Sequence, residues 1–588
     1  MPSKMAVPPT WDLDVLFPGG SGSDALAHWL RQLRGEIQRL VPEPDGILDA
    51  ALIERWQRCS ARLDEAGSFA ECLAAQDTAD TGAQQLLAVI DELSAALKAA
   101  EVDLDQALLR LGERQLAALA AEPPLQAVGF ALAERRDLAA AKLPVEQERL
   151  IERLASDGYH AWNRLYHQMA GALRADMGAG GRSLSMGQLV HRLEDKRATV
   201  RREAQQLLES SWEAVQESAA MALNHQAGFR LSTYRARGWT SVLDEPLRGS
   251  RLQRQTLDAM WDAVARGAER LPAYLRRKAA LLGSDGVYWH DQFAPVGEFG
   301  RELSFADAQQ YIVEHFRGFS ADLADFATHA FAQRWIEAED RSGKAAGGFC
   351  TDFPVSQQTR IFMTFGGTFG GVTTLAHELG HAYHSWLLRD QPHFCTRYPM
   401  TLAETASTFC EALITDAAVE RATDDAERLA LLGSVADEAV IMMMNLRCRF
   451  LFELDFYERR AAGPLQPAEL SEMMVAAQQR AFCGALAEDG THPRFWASKQ
   501  HFYFTDAPFY NFPYVFGYLF SSGIYARSRE EGPAFADRYA ALLRDTGAMP
   551  CEQVAERHLG VDLGSTEFWN AAVDGVLSVL PRVMQLAG

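Results

Sequence analysis

The stretch RIFMTFGGTFGGVTTLAHELGHAYHSWLL, residues 360–388, decides how the rest of the chain is read. Its first six residues are rich in β-favouring side chains and predict a strand over 360–365. The glycines of GGTFGG break that run, and the helical spacing that follows predicts a helix beginning at Thr373 or Thr374. On it, His377 and His381 stand four residues apart, so their imidazoles share one face of the helix. Glu378 lies directly beside them. This spacing suits a catalytic metal centre in which the two imidazoles hold the ion and the carboxylate reaches a water.

A catalytic zinc keeps three protein ligands and one open position, so a third ligand is needed downstream. The metzincin pattern requires histidine at 387, where this chain has Leu387. Three acids follow: Asp390, Glu404 and Glu411. Asp390 falls at the end of the same helix and points along it. Glu404 lies in PMTLAETASTFCEAL, after the turn-forming RDQPHFCTRYPM, where a second helix opens and can turn its carboxylate toward the first. Glu404 is the expected third ligand. Glu411, two turns further on the same face, is placed to accept a hydrogen bond from a ligand imidazole and fix its tautomer.

Working outward, 588 residues with 48% hydrophobic content can bury a large interior in more than one lobe. Residues 24–175 carry apolar side chains three and four apart, as in QQLLAVIDELSAALKAAEVDLDQALLRLGERQLAAL, and predict long amphipathic helices. Pro123 and Pro124 punctuate them. DMGAGGRSLSMG, residues 176–187, reads as a loop or short hairpin, and the division drawn there separates an N-terminal helical region, 1–190, from a catalytic region, 191–588. A second break, LLGSDGVYWHDQFAPVGEFGREL, is a short strand or an ordered loop.

The formal charge of −21, from 78 acidic and 57 basic residues, argues against nucleic acid or an anionic membrane surface as partner. No signal-like h-region opens the chain, and no uninterrupted apolar run approaches the about 18 residues of a membrane span, so the expected location is the cytoplasm. Eight cysteines without a C-x-x-C pair read as buried free thiols. The methionines at 442–444 read as core, and His160, His167 and His315 as ordinary helix residues.

QHFYFTDAPFYNFPYVFGYLFSSGIYA, residues 500–526, is too aromatic and too broken by Pro508, Pro513 and Gly517 for a plain core helix. Tyr510, Tyr514 and Tyr518 are spaced by four after His501, so a loop entering a helix could aim phenol and imidazole donors into one cleft. Such donors serve peptide hydrolysis, in which negative charge builds on a carbonyl oxygen.

TLAHELGHAYH, LAETASTFCEALI and the aromatic stretch, with WDLDVLF near the start, together resemble the zinc oligopeptidases, the family of thimet oligopeptidase and oligoendopeptidase F. The resemblance runs along essentially the whole chain. It implies a mainly α fold: an elongated, two-lobed helical zinc peptidase with a deep substrate channel and a small β-sheet next to the metal helix. It also implies cleavage inside short oligopeptides, with one Zn2+ per chain on His377, His381 and Glu404, and Glu378 as general base without a covalent acyl-enzyme. Tyr518, then His501 and Tyr510, would bind substrate and stabilise the oxyanion, and RIFMTF would be an edge strand pairing with the peptide backbone. Cys410 departs from the family pattern, in which a polar residue, often asparagine, precedes Glu411. A carboxypeptidase of the same architecture is the alternative, needing a cation to grip a substrate C-terminus that the sequence does not locate; a non-catalytic peptide-binding protein is another. Monomer and homo-oligomer are both open to the sequence.

Overall fold

The computed structural model describes residues 9–40, 48–176, 183–297 and 302–588. The chain is mainly helical and forms two compact units, each assembled from three separate stretches: residues 1–145, 301–417 and 524–560 in the first, and 146–300, 418–523 and 561–588 in the second.

In the first unit the amphipathic pattern of the N-terminal region becomes the helices Asp24–Ile37, Ala50–Gln76 and Thr81–Arg110. Their starts are set by side chains: Asp49 accepts a hydrogen bond from the Leu52 amide and Asp80 from that of Ala83, satisfying donors the first turn leaves open. Trp56, Phe69, Leu97 and Leu104 bury their apolar faces in one core with Phe353 and Phe362. Pro123 and Pro124 do punctuate the helices, opening a 3₁₀ turn over Pro123–Val128.

Phe353 and Phe362 belong to a three-stranded sheet. Its strands are β3 (Ile336–Glu337), β4 (Phe349–Phe353) and β5 (Gln358–Phe362), ordered β3-β5-β4, with β4 antiparallel and β3 parallel to β5; β1 (Arg174–Asp176) and β2 (Ser183–Ser185) belong to the second unit. The strand expected over 360–365 thus starts two residues earlier, because Gln358 already pairs with Phe353 across a tight turn. That turn is tied to the Ala50–Gln76 helix through the buried Glu65, which accepts from the Val355 and Ser356 amides. β5 is also the central strand and not the edge, so both its backbone edges are paired; the edge strands are β3 and β4.

After β5 the chain runs into the helix Phe369–Leu388, which begins four residues before Thr373. Thr368 caps it, its hydroxyl accepting from the Gly371 amide, while Thr373 and Thr374 bond back to the Gly370 carbonyl from inside the first turns. The helix packs on β4, β5 and the Ala536–Asp545 helix.

In the second unit β1 (Arg174–Asp176) and β2 (Ser183–Ser185) pair antiparallel; residues 177–182 of the expected loop or hairpin lie outside the described residues. The second sequence break contains a 3₁₀ turn at Trp289–Phe293, and its described residues form no strand; 298–301 lie outside them. The long stretch Asp425–Arg460 has the length and hydropathy of a membrane span, but 56% of that apolar window is buried within the protein, as suits a core helix. Within it, residues 441–445 form a π-helical turn in which Met443 and Met444 are fully buried. None of the eight cysteines forms a disulfide, and six are buried.

Candidate metal centre

The candidate ligands lie in the first unit. The helix Phe369–Leu388 carries His377, Glu378 and His381, and the helix Met400–Arg421 carries Glu404 and Glu411. His377 Nε2 lies 3.3 Å from Glu404 Oε2, and His381 Nε2 lies 3.5 Å from the same oxygen. Ligand bonds of about 2.0–2.1 Å in tetrahedral array place donor atoms about 3.3 Å apart, so this spacing leaves room for one small ion between them. Among the described residues, His377, His381 and Glu404 are the group whose donor atoms converge to hold a metal, all within 4.8 Å of one another.

The rest of the local geometry fits such an ion. Glu411 Oε2 is 3.3 Å from His377 Nδ1; accepting the Nδ1 hydrogen there leaves the Nε2 lone pair facing Glu404. Burial opposes a charge on His377, but the Glu411 hydrogen bond and the carboxylates of Glu404, Glu411 and Glu378 outweigh it and raise its pKa to about 9. At His381 burial prevails instead, lowering it despite the attraction of Glu404. Burial pushes Glu378 up to about 7, against the pull of His377, and its Oε2 is buried without a hydrogen-bond partner. Three carboxylates thus crowd two imidazoles, an arrangement that a cation relieves.

Two residues essential to this geometry escaped the sequence reading. Gly380 lies where the helices cross: a Cβ there would stand 2.5 Å from the Ala406 carbonyl oxygen and 2.6 Å from Ser407 Cα, so the two backbones touch. Ser407, fully buried, donates its hydroxyl to Glu404 Oε2 at 2.7 Å, holding the carboxylate that faces both imidazoles. Small residues one turn from suspected ligands were the available signal. Gly348, just before β4, also faces the site: a Cβ there would lie 3.2 Å from the Phe362 carbonyl oxygen and 3.6 Å from Glu378 Oε1. Cys410 is wholly buried and its thiol is pushed up by burial, so it is packed away from solvent.

The aromatic candidates lie in the second unit. His501 sits in the 3₁₀ turn Gln500–Tyr503, Tyr510 in the loop that follows, and Tyr514 and Tyr518 on the helix Phe512–Glu531. The His501 ring lies 5.3 Å from that of Tyr510 and 6.2 Å from that of Tyr514, and the two tyrosine rings are 5.1 Å apart. Tyr518, one turn beyond Tyr514, is buried. Of the histidines set aside, His160 bonds Thr505 and His315 meets the Tyr311 ring edge to face.

The profile of Peptidase family M3 matches residues 311–574, and that of the N-terminal region called Oligopeptidase F matches residues 108–174. The chain belongs to peptidase family M3. Among family M3 relatives, an oligoendopeptidase F homolog of Lactococcus lactis is 26% identical over 396 residues, 66% of this chain and 65% of its own length. Oligopeptidase PepF of Bacillus subtilis is 22% identical over 66% of this chain and 58% of its own. Crystal structures share the fold: a putative peptidase from Chlamydophila abortus superposes with a TM-score of 0.86 at 18% identity, covering 99% of both chains. Oligoendopeptidase-F from Enterococcus faecium gives 0.69 at 20% identity, over 96% of this chain and 97% of its own.

Proposed function

We propose that the protein is a zinc-dependent endopeptidase acting on internal bonds of short oligopeptides, with one Zn2+ per chain. The observation that carries this reading is the convergence of His377, His381 and Glu404 beside a buried carboxylate, Glu378, that has an unpartnered oxygen. When bound, the ion supplies Lewis-acid chemistry, acidifying a water and polarising a carbonyl.

The chain's own groups do the rest. His377 and His381 offer Nε2, Glu404 offers Oε2, and Glu411 and Ser407 keep the first and third of these aimed. Glu378 takes a proton from the attacking water and returns it to the leaving amine. His501, Tyr510 and Tyr518 bind the peptide and donate to the carbonyl oxygen as charge grows on it, Tyr518 first among them. The edge strand β4 pairs with the substrate backbone, taking the part first read into RIFMTF. On this reading residues 191–588 form the catalytic region and 1–190 the accompanying helical region, and the protein works in the cytoplasm on peptides without nucleic acid or membrane.

The test is digestion of a library of short peptides alongside intact casein, with and without a chelator, read by mass spectrometry together with metal content. Internal cuts confined to the short peptides and abolished by the chelator are expected. Trimming from C-termini alone would replace the endopeptidase with a carboxypeptidase, and metal-loaded protein that cuts nothing would overturn the enzymatic reading.

A further inference from the structure

Near the aromatic candidates the second unit gathers positive charge that no acid among the described residues neutralises. Arg449 is buried, its Nε donating to Asn445 Oδ1 at 2.8 Å and its guanidinium lying 5.6 Å from the Phe495 ring centre. Asn445 ends the π-helical turn and is anchored by its own amide, which donates to Gln292 Oε1. π-Turns of this kind re-aim the side chains that follow them and recur at functional sites. The acid one turn beyond Arg449, Glu453, is engaged elsewhere: it accepts from the Phe509 amide and from Asn511.

Lys499 stands two residues before His501 and within electrostatic reach of Arg449. Among the described residues neither cation has a carboxylate partner, although the chain as a whole carries 21 excess negative charges. Burial, then Arg449, lowers Lys499 to about 7, and burial lowers Arg449 to about 10. Burial and both cations hold His501 at about 3, so its imidazole is neutral, and its Nδ1 is buried without a partner. Two partly desolvated cations within electrostatic reach of each other are costly unless an anion joins them.

We infer that Arg449 and Lys499, with His501, Tyr510 and Tyr514 beside them, form a recognition site for a carboxylate of the peptide substrate. Cations supply the charge, and the imidazole and phenols supply the hydrogen bonds and flat surfaces that orient the adjoining residue. The inference rests on the peptidase reading and adds the substrate's charge to it. A carboxylate can come from a chain terminus or from an aspartate or glutamate side chain, and the test separates the two.

Peptides with free and amidated C-termini, each with and without an internal glutamate, are titrated against metal-loaded Glu378→Gln, and the same peptides are digested by the wild type. A free carboxylate should tighten binding about tenfold or more, as a charge-assisted contact does, and the Lys499→Met version of the same protein should bring the ratio close to one. Arg449→Gln, checked for an unchanged melting curve, should act in the same direction. Preference for the free terminus assigns the site to C-termini, and preference for the internal glutamate assigns it to side chains. Equal affinity for all four peptides, or a preference that survives Lys499→Met, overturns the inference. Cleavage without preference would do so while leaving the peptidase intact, whereas carboxylate-selective binding without any cleavage would remove the peptidase and keep the site.

Discussion

In the first unit two histidines are ringed by three carboxylates; in the second, one histidine is flanked by two cations and two phenols. In the first, the carboxylates outweigh burial at His377 though not at His381, and their surplus invites a cation; in the second, burial and two cations depress His501 and invite an anion. The same residue type therefore serves opposite ends, and the neighbours decide which. A metal and a peptide carboxylate are the complementary ligands of these two environments.

The comparison breaks most easily at the metal ligands. Glu404→Ala removes the oxygen that faces both imidazoles, so dialysed protein should retain little zinc by elemental analysis and show no measurable peptidase activity; zinc retained at one per chain would point to another ligand. Glu378→Gln should keep the metal and lose at least about two orders of magnitude in kcat, the range for removing a general base. Near-normal turnover would sink its assigned part. Glu411→Ala frees the His377 tautomer and should weaken zinc about 10–100-fold in competition with a chelator, with the fold unchanged.

A smaller effect is expected where the helices touch. Gly380→Ala must push Ala406 and Ser407 away, at a cost of about 1–3 kcal/mol in the melting curve and with a weaker metal site as the companion sign. An unchanged melting point would show that the contact can relax. The smallest effect sharpens the contrast: Lys499→Met should leave zinc content as in the wild type, because its charge belongs to peptide recognition.

How much of this was legible in the sequence follows from distance along the chain. His377, Glu378 and His381 lie within a turn and a half of helix, whose geometry is local, and Glu404 and Glu411 sit on the next helix, whose phase can be counted. The strand before them was legible as extended, but its position at the centre of the sheet depends on pairing with Ile336–Glu337 and Phe349–Phe353, which no local pattern announces. The two compact units draw on three stretches each, so no linker-like composition marks their limits. Arg449 and Lys499, fifty positions apart, had no motif to join them; a methionine triplet read as plain core conceals the π-turn that ends on the residue holding Arg449.

The contact at Gly380 has a further consequence for how the centre is spaced. Side chains between helices can change rotamer and let the spacing drift, but two backbones in direct contact have nothing left to adjust. The separation of the helices that carry the imidazoles and Glu404 is therefore gauged by main chain, while the Glu411 and Ser407 side chains aim the donor atoms across it.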